Sequence, residues 1–278
     1  MNGQRVWLIT GAASGLGAGI AKAALANGDA VIATDLDLSR LETLYGDRAL
    51  NAVLDIRDFP QAEAVVEAAI ERFEHIDVLV NNAGYGQFGP FEEVEPQAIE
   101  RQFATNVFGT FNVTRAVLPV MRRQRSGHVF NMSSNGGFKG VPGASMYSSS
   151  KFAIEGFSEA LALEIAPFGI KLTLLEPGAF RTEFLDSRVL KLGTRALEDY
   201  DELRAKTLAV FEARNHQQVG DPDRLGQVVV ELAALPRPPL RFVAGADAVN
   251  VVDDKLLFVA AELNQWRDLS LSTDLSCQ

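Results

Sequence analysis

Short apolar runs alternate with longer amphipathic segments along nearly the whole chain. The runs fall at 5–10, 30–34, 50–54, 77–81, 127–132, 170–176 and 240–244 and are rich in Val, Ile and Leu. Such runs suit strands buried on both faces of a sheet. Between them, helical spacing recurs over 15–27, 38–45, 58–74, 96–123, 145–167, part of 183–215, 221–235 and 247–267. This alternation predicts an α/β fold, a doubly wound parallel sheet of about seven strands with helices on both faces. Pro236-Arg237-Pro238-Pro239 reads as a stiff loop before the last strand, and residues 270–278 as a polar tail.

The ends of the expected strands carry the informative polar and small residues. The first strand runs into Gly11-Ala12-Ala13-Ser14-Gly15-Leu16-Gly17 and then a helix-forming stretch. Strand, glycine turn and helix form the context of a dinucleotide-binding loop. Gly11 would allow the tight turn, Gly15 the approach of a pyrophosphate, and Gly17 close packing of helix on strand. The helix amino terminus would offer N–H groups to phosphate. The second strand ends at Asp35, where a carboxylate can accept hydrogen bonds from ribose hydroxyls; a helix cap or a solvated loop charge would look the same. Asp55 closes the third run and could meet an adenine edge. Asn81-Asn82-Ala83-Gly84 closes the fourth. Together these stops form the crevice pattern of an open α/β sheet.

Tyr147 and Lys151 stand four residues apart, and Ser134 lies thirteen residues before the tyrosine. On a helix, positions i and i+4 share a face. A cation beside the phenol favours phenolate and lowers its pKa, which suits it to exchange a proton with a carbonyl or alcohol oxygen. Ser134 can hydrogen-bond the same oxygen. An incidental surface pair has the same spacing, so this motif gains its meaning from the others.

Taken together, T-G-A-A-S-G-L-G at 10–17, D-I at 55–56, N-N-A-G at 81–84, Asn106 in T-N-V-F-G, M-S-S at 132–134, Y-S-S-S-K at 147–151 and P-G-A-F-R-T at 177–182 resemble the short-chain dehydrogenases/reductases. The likeness runs from residue 5 to about residue 185. It implies one Rossmann-like NAD(P)-binding domain over 1–278, with a substrate-covering helical segment at about 183–215. The resemblance implies Asn106, Ser134, Tyr147 and Lys151 as the catalytic set. Tyr147 would be the acid or base, Lys151 its tuner and a partner of the nicotinamide ribose, and Ser134 the group that places the substrate oxygen. Asn106 would help hold a water linking Lys151 to solvent. The cofactor would be held by Gly11, Ser14, Gly15, Leu16, Gly17, Asp35, Leu36, Asp55, Ile56, Asn82, Ala83 and Gly84, by Tyr147 and Lys151, and by Pro177, Gly178, Phe180 and Thr182. Two helices, 96–123 and 145–167, commonly pair across a two-fold axis in such proteins, so a homo-dimer or homo-tetramer is expected.

Cofactor choice turns on Asp35. NADP-preferring relatives usually carry Arg or Lys where this chain has Ala13 and Leu36. A carboxylate about 5 Å from a phosphate charge costs roughly 3 kcal/mol at an effective dielectric near 20, about two orders of magnitude in affinity. NAD is expected over NADP, with Arg40 the nearest cation that could soften the preference. The segment after Thr182 mixes Phe184, Leu185, Val189, Leu190 and Leu192 with Arg188, Lys191 and Arg195. With Phe138, Val141 and Met146 it suggests a pocket for an apolar ketone or secondary alcohol. A non-catalytic NAD sensor, and an epimerase or dehydratase with tightly held NAD, remain alternatives.

Composition adds exclusions. The formal charge is −10 and no basic stretch stands out, which argues against nucleic acid. No run reaches the ~18 apolar residues of a membrane span. The one cysteine, Cys277, cannot build a disulfide framework, so a reducing, cytoplasmic setting is expected. His75, His128 and His216 lack metal-ligand spacing, so no metal site is expected. Trp7 and the phenylalanines at 103, 108 and 111 read as core.

Overall fold

The computed structural model describes residues 3–186 and 190–275; Arg188, Val189 and Cys277 lie outside the described residues. In chain order the elements are β1 (Val6–Thr10), α1 (Gly15–Ala26), β2 (Ala30–Asp35), α2 (Leu38–Tyr45), β3 (Leu50–Val53), α3 (Phe59–Phe73), β4 (Val78–Asn81), β5 (Gln87–Phe88), α4 (Pro96–Phe103), α5 (Thr110–Gln124), β6 (Gly127–Met132), α6 (Ser145–Ile165), β7 (Ile170–Pro177), β8 (Lys191–Leu192), α7 (Asp201–Arg214), α8 (Pro222–Ala234), β9 (Arg241–Ala244) and α9 (Ala246–Leu271).

All seven expected strands pair in one parallel sheet, in the order β3-β2-β1-β4-β6-β7-β9. The chain winds outward from β1 to β3 and then returns to β4 beside β1. The crevice between β1 and β4 is thus the topological switch point, where ligands bind in sheets of this kind. Every residue of β1 and β4 is buried, because each strand is covered on both faces. One apolar layer packs beneath α3, α5 and α6 and includes Leu8, Leu79, Val117 and Ile154. The other packs beneath α1, α2 and α8 and includes Trp7, Ile20, Tyr45 and Val229. Trp7 lies parallel to Phe130 at 6.5 Å between ring centroids.

Local chemistry sets the helix starts. The Asp37 carboxylate accepts from the Arg40 N–H, Asp58 from Gln61, and Asp221 from Asp223 and Arg224. Each such cap is worth about 1 kcal/mol against alanine.

Four expectations change. The helix expected over 96–123 is two helices joined by a π-helical stretch, Ala104–Gly109. The wider turn lets the Asn106 amide meet the Tyr85 backbone, a long-range fit that periodicity does not encode. Phe108 is exposed at its outer face instead of entering the core, while Phe103 and Phe111 are only partly buried. A two-stranded parallel pair, β5 with β8, ties the segment after Thr182 to the loop after β4. Finally, α9 runs to Leu271, so the helix enters the stretch expected to be a tail.

Candidate active site

The loop after β1 is built for close approach. Gly11 and Gly15 have φ of +66° and +53°, a region that favours glycine. A Cβ on Gly17 would stand 2.3 Å from the Gly11 carbonyl oxygen and 2.4 Å from Asn82 Nδ2. Gly17 therefore seats α1 on the turn itself and on Asn82, where the sequence suggested the strand. Asn82 locks that contact by donating to the Thr10 and Gly11 carbonyls at 2.9 and 3.1 Å. Thr10 Oγ1 accepts from the Asn82 and Ala83 N–H groups, both at 3.0 Å. Ser14 is extended and makes no side-chain cap, and Ser14, Gly15 and Leu16 line the cleft. The open amino terminus of α1 thus faces the cleft, as a diphosphate would need.

A cleft of about 1090 Å³ opens along this crevice. Gly11, Asp35, Leu36, Asp55, Ile56, Ala83, Gly84, Gly178, Phe180 and Thr182 line it, together with Ser134, Tyr147 and Lys151. Asp35 is held by the Ala13 N–H at 3.1 Å and the Leu36 N–H at 2.8 Å. Asp55 is paired with Arg57 at 2.5 Å, and that bond holds its carboxyl below the usual range. Pro177 is buried at the end of β7 and sets the chain direction without lining the cleft.

Tyr147 and Lys151 share a face of α6, as their spacing predicts. Ser134 lines the same cleft; its Oγ accepts from the Gly136 N–H at 3.0 Å and donates to Asn135 Oδ1 at 3.1 Å. Lys151 Nζ donates to the Met132 carbonyl at 2.7 Å and stands 5.9 Å from the centre of the phenol ring. Burial pushes the Tyr147 phenol up, with the Ser134 hydrogen bond opposing. This reverses the lowering expected from Lys151, because the ammonium is directed at a carbonyl and is itself desolvated. Burial brings Lys151 down to about 8, opposed by the charge of Glu155 one turn on. A protonated phenol beside an oxygen-placing serine can donate a proton to a carbonyl oxygen.

Asn106 is buried and does not line the cleft. Its oxygen accepts from the Tyr85 N–H at 3.1 Å, and its amide donates to the Tyr85 carbonyl at 2.9 Å and to Ser150 Oγ at 3.2 Å. It joins the loop after β4 to α6. Ser133, next to Ser134, points the other way and faces Glu155.

The segment after Thr182 forms the outer wall. Phe88 and Phe184 flank Tyr147, 5.3 and 5.7 Å from its ring, and Phe211 is 4.9 Å from Phe88. The buried Glu93 fastens this wall by pairing with Arg204 and accepting from the Leu197 N–H. Leu185 and Leu192 line the cleft as expected, whereas Phe138, Val141 and Met146 do not.

Sequence reasoning missed Phe88, Phe211, the Arg40–Glu183 pair at 2.7 Å, and Asp247. Asp247 accepts from the Ala179 N–H at 2.7 Å and so fixes the Gly178-Ala179 turn. An acidic residue in the first turn of α9 was its only sequence signal. The histidines have other partners: His128 is core, bonded to Thr173 at 2.9 Å and brought down to about 3 by burial. His75 pairs with Asp77 and His216 with Asp186.

The family profile described as short chain dehydrogenase matches residues 5–192. The chain belongs to the short-chain dehydrogenase family. Oxidoreductase BOA17 of Botryotinia fuckeliana is 38% identical over 273 residues, covering 97% of this chain and 99% of that protein. The 3-ketodihydrosphingosine reductase of Bacteroides thetaiotaomicron is 39% identical over 241 residues, covering 87% and 88%. A short-chain dehydrogenase from Streptomyces avermitilis superposes with a TM-score of 0.89 at 39% identity, covering 98% of this chain and all of that one. The glycine turn, the strand-end asparagine and the Tyr–Lys pair all lie within the matched residues. No helix among the described residues is long and apolar enough to cross a membrane.

Proposed function

We propose that the protein is an NAD(H)-dependent oxidoreductase that interconverts a secondary alcohol and a ketone. The observation that carries this reading is the Ser134–Tyr147–Lys151 cluster lining the crevice, facing an aromatic wall. Tyr147 gives its proton to the carbonyl oxygen in reduction and takes one from the alcohol in oxidation. Ser134 places that oxygen, and Lys151 supplies positive charge as the phenol loses its proton. A nicotinamide held beside this cluster would supply or accept the hydride.

The cofactor would lie along the cleft. The amino terminus of α1 would hold its diphosphate, Asp35 the adenosine ribose hydroxyls, and the turn at Gly178 the nicotinamide end. The carboxylate at Asp35, with no Arg or Lys at positions 13 and 36, supports NAD over NADP. Phe88, Phe184 and Phe211 support a substrate with an apolar body, and a relative's name gives a keto substrate of its own. We assign the whole chain to one dinucleotide-binding domain with residues 183–215 as its cover. Homo-oligomerisation through α5 and α6 is supported by the aromatic row Phe108, Phe111 and Phe157, with 6.1 and 4.2 Å between successive rings.

The test is a panel of ketones and secondary alcohols, of graded chain length, followed by nicotinamide absorbance with both cofactors. Turnover with NADH that is lost in Tyr147→Phe supports the proposal. Cofactor binding without turnover of any member supports a sensor instead. Cofactor retained through purification, with turnover but no net absorbance change, supports an epimerase or dehydratase.

A further inference from the structure

The helix α9 has 26 residues and buries only Ala248. At 1.5 Å per residue it is about 39 Å long. Along it, Val249, Val252, Leu256, Val259, Leu263 and Trp266 recur at alternating steps of three and four. That is the a/d repeat of a helix that packs on another helix. The stripe lies open: Leu256 is 53% exposed, Leu263 55% and Trp266 55%. Leu257 and Phe258 beside it are 72% and 54% exposed. Single exposed apolar residues need no explanation, but a contiguous patch of this size marks an interaction site.

We propose that α9 pairs antiparallel with α9 of a second copy of this chain, forming a two-fold interface separate from α5 and α6. In an antiparallel pair centred between Leu256 and Val259, each a residue faces a d residue. Leu256 meets Val259, Val252 meets Leu263, and Val249 meets Trp266. The same register sets Lys255 opposite Glu262 of the second copy, and two-fold symmetry forms that pair twice. A parallel pair would bring two bodies, each with a radius of gyration of roughly 19 Å, to one end of helices only 8–10 Å apart. The antiparallel pair puts them at opposite ends. A lipid surface fits less well, because α9 carries five carboxylates against two cations, whereas helices that lie on membranes are rich in Lys and Arg.

The experiment is sedimentation of the full chain at micromolar concentration. Leu256→Glu/Leu263→Glu should halve the mass of the wild-type particle while circular dichroism shows a folded protein. Lys255→Glu should weaken association by at least about tenfold, since it sets two like-charged pairs across the interface. Lys255→Glu/Glu262→Lys should recover most of that loss. An unchanged mass in the leucine variant, or a Lys255→Glu defect that the second reversal does not rescue, overturns the proposal. So does a wild type that sediments like the leucine variant but binds phosphatidylcholine vesicles through α9. None of these readouts depends on turnover, so they stand apart from the proposed activity.

Discussion

Glu176 is fully buried near the carboxyl end of β7. Arg241 Nε lies 3.2 Å from its Oε1 and 3.1 Å from Glu155 Oε2, while Arg241 Nη2 reaches Glu159 at 2.5 Å. One guanidinium therefore serves three carboxylates. Burial, then the charge of Glu155, pushes the Glu176 carboxyl up to about 7 from an ordinary 4.5, with Arg241 opposing. Glu155 is raised as well, by burial first. Between pH 4.5 and about 7 the native protein therefore holds a proton on Glu176 that the unfolded chain has released.

The sign follows from proton linkage. Below pH 4.5 both states carry the proton and the group costs nothing. Between 4.5 and 7 the unfolded chain releases it first, so native stability falls as pH rises, and above 7 the full cost is present. A shift from 4.5 to about 7 is worth about 3 kcal/mol at 1.36 kcal/mol per unit. Glu176→Gln keeps the shape and an oxygen acceptor for Arg241 but carries no titrating proton. The variant should match wild type near pH 4.5 and be more stable by about 3 kcal/mol at pH 8, roughly 5–10 °C in melting temperature for a chain of this size. Melting curves of both proteins across pH 4.5–8 give the difference directly. A difference that stays flat with pH, or a glutamine variant less stable than wild type at pH 8, would refute the buried proton.

Three further outcomes are expected. Tyr147→Phe should lower carbonyl reduction by at least ~100-fold, the scale of lost acid–base catalysis, while NADH binding measured by fluorescence survives; near-normal turnover in the folded variant would sink the assignment. Wild type should favour NAD(H) over NADP(H) in kcat/KM by about two orders of magnitude, and Asp35→Ala/Leu36→Arg should shift the preference toward NADP(H); a wild type that prefers NADPH refutes the reading of the second strand. Glu155→Gln removes the charge that supports the Lys151 ammonium, so the limb of the pH–rate profile that reports Lys151, near 8, should move to lower pH, and an unmoved limb would show that Glu155 does not reach the lysine.

The sheet was legible because buried parallel strands must be continuous apolar runs, and their boundaries fall at the residues that line the crevice. Thr10, Asp35, Asn82 and Ser134 could be placed at one edge from strand order alone, since parallel strands bring their carboxyl ends together. Local spacing also gave the shared face of Tyr147 and Lys151. Direction of charge was not legible: the Lys151 ammonium bonds the Met132 carbonyl, and that contact depends on how α6 packs on β6. The outer wall was out of reach for the same reason. Phe88 meets Phe211 across more than a hundred residues, and the buried Glu93 that fastens Arg204 stands in sequence beside Glu92 and Glu95. Nothing local marks the one that is buried.

Asn106 shows how the two kinds of information meet. The motif identified the residue, but its work in this chain depends on the π turn that holds it. With both ends of the amide on the Tyr85 backbone and a third bond to Ser150, the side chain fixes the loop after β4 relative to α6. Tyr85 begins the approach to Phe88, and Ser150 stands one residue before Lys151. A Cβ on Gly84 would stand 3.0 Å from the Asn106 oxygen, a tight contact at the same joint. The buried Asn106 amide thus links the loop that leads to Phe88 with the helix that carries Tyr147 and Lys151.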